Sequence, residues 1–414
     1  MAPLASSLSC IQKKLIGHHL SYSEIHSIIY DIVHYHLDDI QIAFFVASAF
    51  MKNGFSNEEI YYMTKAMAET GDMLHWDGVV ADKHSIGGVP GNRTTPIVVS
   101  IISSLGIRIP KTSSRAITSE AGTADVIETV SSVEFNTEKI KEIVDKTNAC
   151  LVWGGALKLA PADDRILKVS YELGIEPYSK IVTSIMAKKV AMGATHLVID
   201  IPIGPGLKIH KMEDALGMKK IFEYLAKKFN IKLYVVIEKI EGPVGRGIGP
   251  ALEIRDILRV LSQSDNRPLD LEKRAIKLAG ALLELTGKVS KGQGINIALA
   301  QLKNGEALAQ FRKIISAQGG DGNLSESSIK IGEYQSEFKS ERKGIIKSID
   351  NLSLIRLVRL LGSPVTKEGG IYLNKIKNEQ VAAGETLFTL YTTSEQRLAL
   401  AVKELEKNQP YLIV

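Results

Sequence analysis

The chain has 414 residues, 45% hydrophobic and 23% charged, with a formal net charge of +5, the balance of a soluble globular protein with a large core and two or three domains. No apolar run reaches membrane-spanning length, and the N-terminus has no basic stretch leading into an apolar block. Cys10 and Cys150 supply neither a disulfide framework nor metal spacing, so a reducing, cytoplasmic setting is expected, with no metal and no cofactor. The mild positive balance suits anionic ligands. It does not point to nucleic acid, because the lysines of residues 219–232 fall on a helix face without the interleaved aromatics of a stacking platform.

Residues 23–75 read as helices. Ile25, Ile28, Ile29, Ile32 and Val33 follow one face of a 3.6-residue period. Asp38 or Asp39 can cap a second helix, and Ser56 with Glu59 forms a capping box after Gly54. The third helix is expected to end near Gly71. From about Val79 the pattern changes: 79–85 is a short strand entering a glycine-rich loop, 96–105 a helix, 107–111 a strand, and another helix starts at Thr123. The runs 151–155, 196–202 and 233–238 are apolar and β-rich between helical stretches. Strands alternating with helices predict an α/β fold with a mainly parallel sheet.

Residues 160–189 interrupt this alternation with helical sequence, which is expected to return to the first helical unit. Residues 319–341 are polar and read as a linker. The remainder reads as a small α+β unit; its 369–391 run is similar to barrel-sandwich units that carry biotin or lipoate, but Lys375 lacks the flanking acidic or Met residues of a modified lysine. The expected domains are helical (1–76, with 160–190 returning to it), α/β and phosphate-binding (77–159 and 191–330), and C-terminal α+β (340–414).

Two turns stand out. D-K-H-S-I-G-G-V-P-G-N-R-T-T (82–95) and K-T-S-S-R-A-I-T-S-E-A-G-T-A-D-V-I-E (111–128) are rich in Gly, Ser and Thr and carry basic residues. Backbone N–H groups and hydroxyls can cradle an anion, with a lysine supplying charge. In the first, Lys83 can pair with the anion, Ser85, Thr94 and Thr95 can donate, and Gly87, Gly88 and Gly91 allow close backbone approach; the alternative is a tight structural turn. His84, beside Lys83, is expected to face the pocket. In the second, Ser113, Ser114, Thr118 and Thr123 can donate, while Arg115 either forks onto an anion or anchors the loop through Asp125 or Glu128.

Other patterns are weaker. The glycines of 245–249 miss the spacing of a dinucleotide loop. Asp163 and Asp164 are adjacent and do not face one another on a helix, which favours capping or surface pairing over a paired-acid site. Ser184 and Lys188 share a helix face at i,i+4 and could read a polar planar group. His34 and His36 have no third ligand nearby.

D-K-H-S-I-G-G, S-R-A-I-T-S-E-A-G-T-A-D, L-A-P-A-D-D-R and S-I-M-A-K-K, in this order, resemble the thymidine and pyrimidine-nucleoside phosphorylase family. V-P-G-N-R-T-T and A-G-T-A-D are most similar to its archaeal-type branch, which includes AMP phosphorylase. The resemblance runs from about Tyr22 to the C-terminus. It implies a helical domain, an α/β domain, a small C-terminal α+β domain, and a homodimer contacting through the N-terminal helices, with larger assemblies open.

The implied reaction is phosphorolysis of an N-glycosidic bond. Phosphate attacks the anomeric carbon and the base leaves, giving free base and (deoxy)ribose 1-phosphate from a nucleoside. The alternative substrate is a nucleoside 5′-monophosphate, giving ribose 1,5-bisphosphate. Phosphate is a co-substrate, which leaves no cofactor implied.

By analogy Lys83, Ser85, Gly88, Thr95, Ser113 and Thr123 would hold phosphate. Ser114, Arg115, Ala116, Ile117, Thr118 and Ser119 would line the substrate, and His84, Ser184 and Lys188 would lie at the base. The thymidine-specific enzymes place an arginine near the position of Ser170 and Tyr171, and this chain has none. Glu176, in G-I-E-P, stands where the nucleotide-using branch has an aspartate thought to protonate the base, and Lys208, in G-P-G-L-K, matches a nucleotide-contacting lysine. Long members carry a further N-terminal domain; about twenty residues precede Tyr22 here, fewer than an ordinary domain. Two rivals remain: a phosphoribosyltransferase of related architecture, for which Asp163 and Asp164 are the candidate Mg²⁺ carriers, and a non-catalytic nucleotide-binding protein.

Overall fold

The computed structural model describes all residues except 1–5, Lys52, Ile117 and Thr118. The chain divides into two compact units, the first formed by residues 1–82, 154–197 and 216–233 and the second by 83–153, 198–215 and 234–414.

The first unit is helical. Ser7–Leu15, Tyr22–Val33, Asp39–Ala47 and Asn57–Glu69 are followed, later in the chain, by Pro161–Glu172, Tyr178–Ala191 and the body of Met212–Lys228. Ile25, Ile28, Ile29 and Ile32 are all buried, because residues three and four apart stack on one helix face. Asp38 caps its helix with Gln41, and Ser56 caps the next with Glu59. Glu59 also works beyond its own helix. Its buried carboxylate accepts from Lys14 Nζ at 2.7 Å and from the Leu20 N–H at 3.0 Å. A buried pair of this kind needs every oxygen partnered, and the capping interactions complete the set.

Arg165 donates to the carbonyls of Ile32 at 2.8 Å and Leu37 at 3.0 Å. It thereby ties the later helices to the C-terminal end of Tyr22–Val33 and to the connector before Asp39–Ala47. Residues 154–197 thus lie with the N-terminal helices, and 216–233 joins them, which the reading of 191–330 as one α/β segment did not include.

The second unit contains the α/β and C-terminal parts. Ala81–Ser85, His196–Ile203 and Lys232–Lys239 are sheet neighbours in that order, and Ile109–Ser113 pairs in parallel with Ala149–Trp153. Every residue of His196–Ile203 is buried, as expected for a strand covered on both faces. Thr94–Ser104 is buried over nearly its whole length and packs on Leu269–Thr286 and Glu306–Ala317.

The C-terminal part has two antiparallel sheets. One orders Gly247–Ile248, Gly370–Leu373, Thr386–Thr392 and Tyr334–Lys339; the other orders Gln380–Val381, Gly344–Ile349 and Tyr411–Ile413. They close on a core that includes Leu357, Phe388 and Leu390. One reading changes here. Tyr334–Lys339 is an edge strand rather than linker: its polar residues are tolerated because an edge has one partner, and Phe338 stacks on Phe388. The C-terminal residues also cluster with the α/β part in one compact unit.

Candidate active site

The first glycine loop leaves the strand Ala81–Ser85 and runs into the helix Thr94–Ser104. Side chains alternate along a strand, so Lys83 and Ser85 share one face and Asp82 and His84 the other. His84, expected to face the pocket, thus lies on the strand face opposite Lys83. Lys83 is 1% exposed. Its ammonium donates to Thr94 Oγ1 at 2.8 Å and lies 3.3 Å from Thr95 Oγ1, at the first turn of the helix. A cation and a helix N-terminus therefore meet at one point, each favouring an anion.

Gly91 has φ +71°, and a Cβ there would fall 2.4 Å from the Val244 carbonyl, so both the backbone conformation and the packing require glycine. Gly88 has φ +88° and lies against the backbone of Lys208, whose N would be 3.1 Å from an added Cβ. Lys208 itself is exposed beside this turn.

The second loop follows Ile109–Ser113. Ser113 Oγ is buried and has no hydrogen-bond partner among the described residues, an arrangement that costs about 1–3 kcal/mol unless a ligand supplies the partner. Asp125 holds the loop: its Oδ2 accepts from the Ala116 N–H at 2.7 Å and the Gly122 N–H at 2.8 Å. Ser119 Oγ donates to the Ala121 carbonyl at 3.3 Å, and Ser114 is exposed. Ile117 and Thr118 lie outside the described residues.

Arg115 donates to both oxygens of Glu128 at 2.5 Å and to Glu134 at 2.8 Å. With its donors turned to carboxylates, its contacts match the loop-anchoring alternative rather than anion binding. Lys367 adds to this anchor with a 2.8 Å ion pair to Glu128.

Arg93 belongs to the first motif, yet nothing in the sequence pattern gives it a role of its own. It donates to Glu253 at 2.5 Å, to Thr123 Oγ1 at 3.2 Å and to the Ala121 carbonyl at 3.0 Å. It thus joins the starts of the helices that follow both loops. Glu120 lies 3.7 Å from the same guanidinium, so one cation serves two buried carboxyls. Burial, reinforced by the charge of Glu253 and opposed by Arg93, pushes Glu120 up to about 7.

The sign follows from proton binding. Between the ordinary value of 4.5 and about 7 the native chain holds a proton that the unfolded chain has released, so stability falls as pH rises through that window. Glu120→Gln removes the penalty. We expect it to stabilise the protein at pH 8 by on the order of 3 kcal/mol and to change little at pH 4; denaturant titrations at the two pH values check this, and an equal gain at both would contradict it.

In the first unit, Ser184 and Lys188 lie one turn apart on Tyr178–Ala191. Ser184 Oγ donates to Asp163 Oδ2 at 2.7 Å, and Lys188 Nζ to the same oxygen at 2.5 Å. Asp163 is 0% exposed and its Oδ1 has no partner among the described residues. The expectation of a capping or surface role is therefore corrected for Asp163. Burial pulls the Lys188 ammonium down, and Asp163 more than restores it, leaving Lys188 above its ordinary value.

Glu176 is exposed in the connector between Pro161–Glu172 and Tyr178–Ala191. The glycines of 245–249 do not present free N–H groups: Asp256 Oδ2 accepts from Arg246 at 2.6 Å and Gly247 at 2.7 Å, and Asp270 from Gly245 at 3.0 Å. Among the described residues no group of three or more His, Cys, Asp or Glu is placed to hold a metal, and no helix is long and apolar enough to cross a membrane.

Family models match almost end to end: a glycosyl transferase family helical bundle domain over residues 8–71, a glycosyl transferase family a/b domain over 77–308, and a pyrimidine nucleoside phosphorylase C-terminal domain over 345–412. An AMP phosphorylase from Methanococcus vannielii is 44% identical over 405 residues, covering 98% of this chain and 80% of the relative. One from Methanocaldococcus jannaschii is 43% identical, covering 96% and 78%. Among solved structures, anthranilate phosphoribosyltransferase from Thermus thermophilus superposes with a TM-score of 0.61 at 18% identity, covering 75% of this chain and 99% of that one, a likeness of fold alone. On these matches the chain belongs to the thymidine and pyrimidine-nucleoside phosphorylase family of pentosyltransferases, in the branch that includes AMP phosphorylase.

Proposed function

We propose that this nucleoside phosphorylase acts on nucleoside 5′-monophosphates, cleaving the N-glycosidic bond with inorganic phosphate to release the free base and ribose 1,5-bisphosphate. The observation that carries this reading is the match to AMP phosphorylases along 98% of the chain. It supports the nucleotide over the unphosphorylated nucleoside that the motifs alone put first. Lys208, exposed against the Gly88 turn, is the proposed partner of the 5′-phosphate, and the absence of an arginine at Ser170 and Tyr171 agrees with a base other than thymine.

In the proposed reaction a phosphate oxygen, held by Lys83, Thr95, Ser113 and Thr123, forms a bond to C1′ of the sugar. The C1′–N bond breaks with its electron pair moving to the base, and Glu176 delivers the proton. Holding the nucleophile at bonding distance supplies much of the rate. Ser184 and Lys188, fixed by Asp163, are proposed to orient the base. Apolar residues exposed on the N-terminal helices, Ile40 and Phe44 among them, support the homodimer implied by the resemblance.

The test is phosphate-dependent release of base from AMP, uridine and thymidine, with the sugar product followed by phosphorus NMR. Release from AMP is expected, and no release from any of the three by folded protein would sink the reading. Glu176→Gln keeps size and removes the proton; kcat is expected to fall about 10²–10⁴-fold, and an unchanged kcat would exclude Glu176 as the donor.

A further inference from the structure

The strand His196–Ile203 is apolar except at His196 and at Asp200, which is 0% exposed. A lone acid in a fully covered strand must be paired. Arg274 supplies the charge, its Nη2 lying 2.6 Å from Asp200 Oδ1, while the other side of the guanidinium is bound to Glu238. The second oxygen, Oδ2, accepts from Ser85 Oγ at 2.8 Å. An ion-paired carboxylate is an acceptor only, and a serine hydroxyl has one proton to give. The Ser85 proton is therefore committed to Asp200, and what Ser85 can offer a ligand is a lone pair. This alters the donor role expected of Ser85 while keeping it on the Lys83 face of the strand.

We propose that Asp200, set by Arg274, turns the Ser85 hydroxyl into an acceptor that reads a protonated oxygen of the bound anion. The site would then prefer hydrogen phosphate to a tetrahedral anion carrying no proton. The inference rests on the reading of the 82–95 loop as the phosphate site and adds what that loop discriminates. Sulfate is the discriminating probe: it matches phosphate in shape, and at neutral pH it has no proton to give Ser85, so the two acceptors would face each other without a bond.

The experiment is calorimetric titration of the full chain with inorganic phosphate and with sulfate at constant ionic strength, for the wild type, Ser85→Ala and Asp200→Asn. The wild type should bind phosphate about tenfold more tightly than sulfate, the worth of one hydrogen bond gained against one acceptor left unpaired. Ser85→Ala should weaken phosphate about tenfold and leave sulfate nearly unchanged. In Asp200→Asn the side-chain oxygen stays with Arg274 and the amide N–H turns to Ser85, which frees the hydroxyl to donate; the preference should shift toward sulfate. A structural defect would instead weaken both anions together. Equal wild-type affinities, or an equal loss of both anions in Ser85→Ala, would overturn the inference while leaving the phosphate site standing. Binding of neither anion by folded wild type would remove the site itself. Ser85→Ala decides the matter even if Asp200→Asn does not fold.

Discussion

Lys83→Met should abolish most phosphate-dependent turnover while leaving the protein folded. Lys83 is buried with its ammonium on the hydroxyls of Thr94 and Thr95, so its charge acts in a low-dielectric setting where it is worth more than on a surface. Losing one preorganised donor from such a site costs about 10²–10³ in rate. The loss should appear in kcat/KM for phosphate, with the KM for the nucleotide nearly unchanged. Methionine is unbranched and of similar length, so it fills the space of the lysine stem. The chain is therefore expected to stay folded, with an unchanged far-UV circular dichroism spectrum. A variant that melts earlier and loses affinity for both substrates alike would give Lys83 a structural role instead.

How the residues converge on that lysine was partly legible in the sequence. Local signals are short-range, and they read well: the Ser56 and Asp38 capping boxes, the isoleucine face of Tyr22–Val33, and the alternation of strands and helices after Val79 all appear in the structure. The glycines and hydroxyls of both loops were visible because they crowd into a few residues. What stayed hidden depends on pairs far apart in the chain. Arg93 meets Glu253 across 160 positions, and Ser85 meets Asp200 across 115. Nothing local signals such a contact. Asp200 still left a trace, since an acid within an apolar, fully covered strand needs a partner.

Asp163→Asn is expected to impair the reaction through the base rather than through phosphate. The carboxylate holds Ser184 and Lys188 with one oxygen, and the amide keeps size and an acceptor while removing the charge. Lys188 stands above its ordinary value because Asp163 outweighs the effect of burial. Without that charge the ammonium deprotonates at lower pH, so the alkaline limb of the pH–rate profile should move toward neutrality. At pH 7 kcat/KM for the nucleotide should fall about 10²-fold, whereas the KM for phosphate should stay within about twofold, the opposite split from Lys83→Met. Asp164→Asn, one residue along, removes a smaller contribution to the same lysine and should move the alkaline limb in the same direction but less. If Asp163→Asn raised the KM for phosphate and left the alkaline limb in place, Asp163 would not act through Lys188. Taken with Lys83→Met, the two variants divide the chemistry by substrate: Lys83 for the nucleophile, and the buried Asp163 for the leaving base.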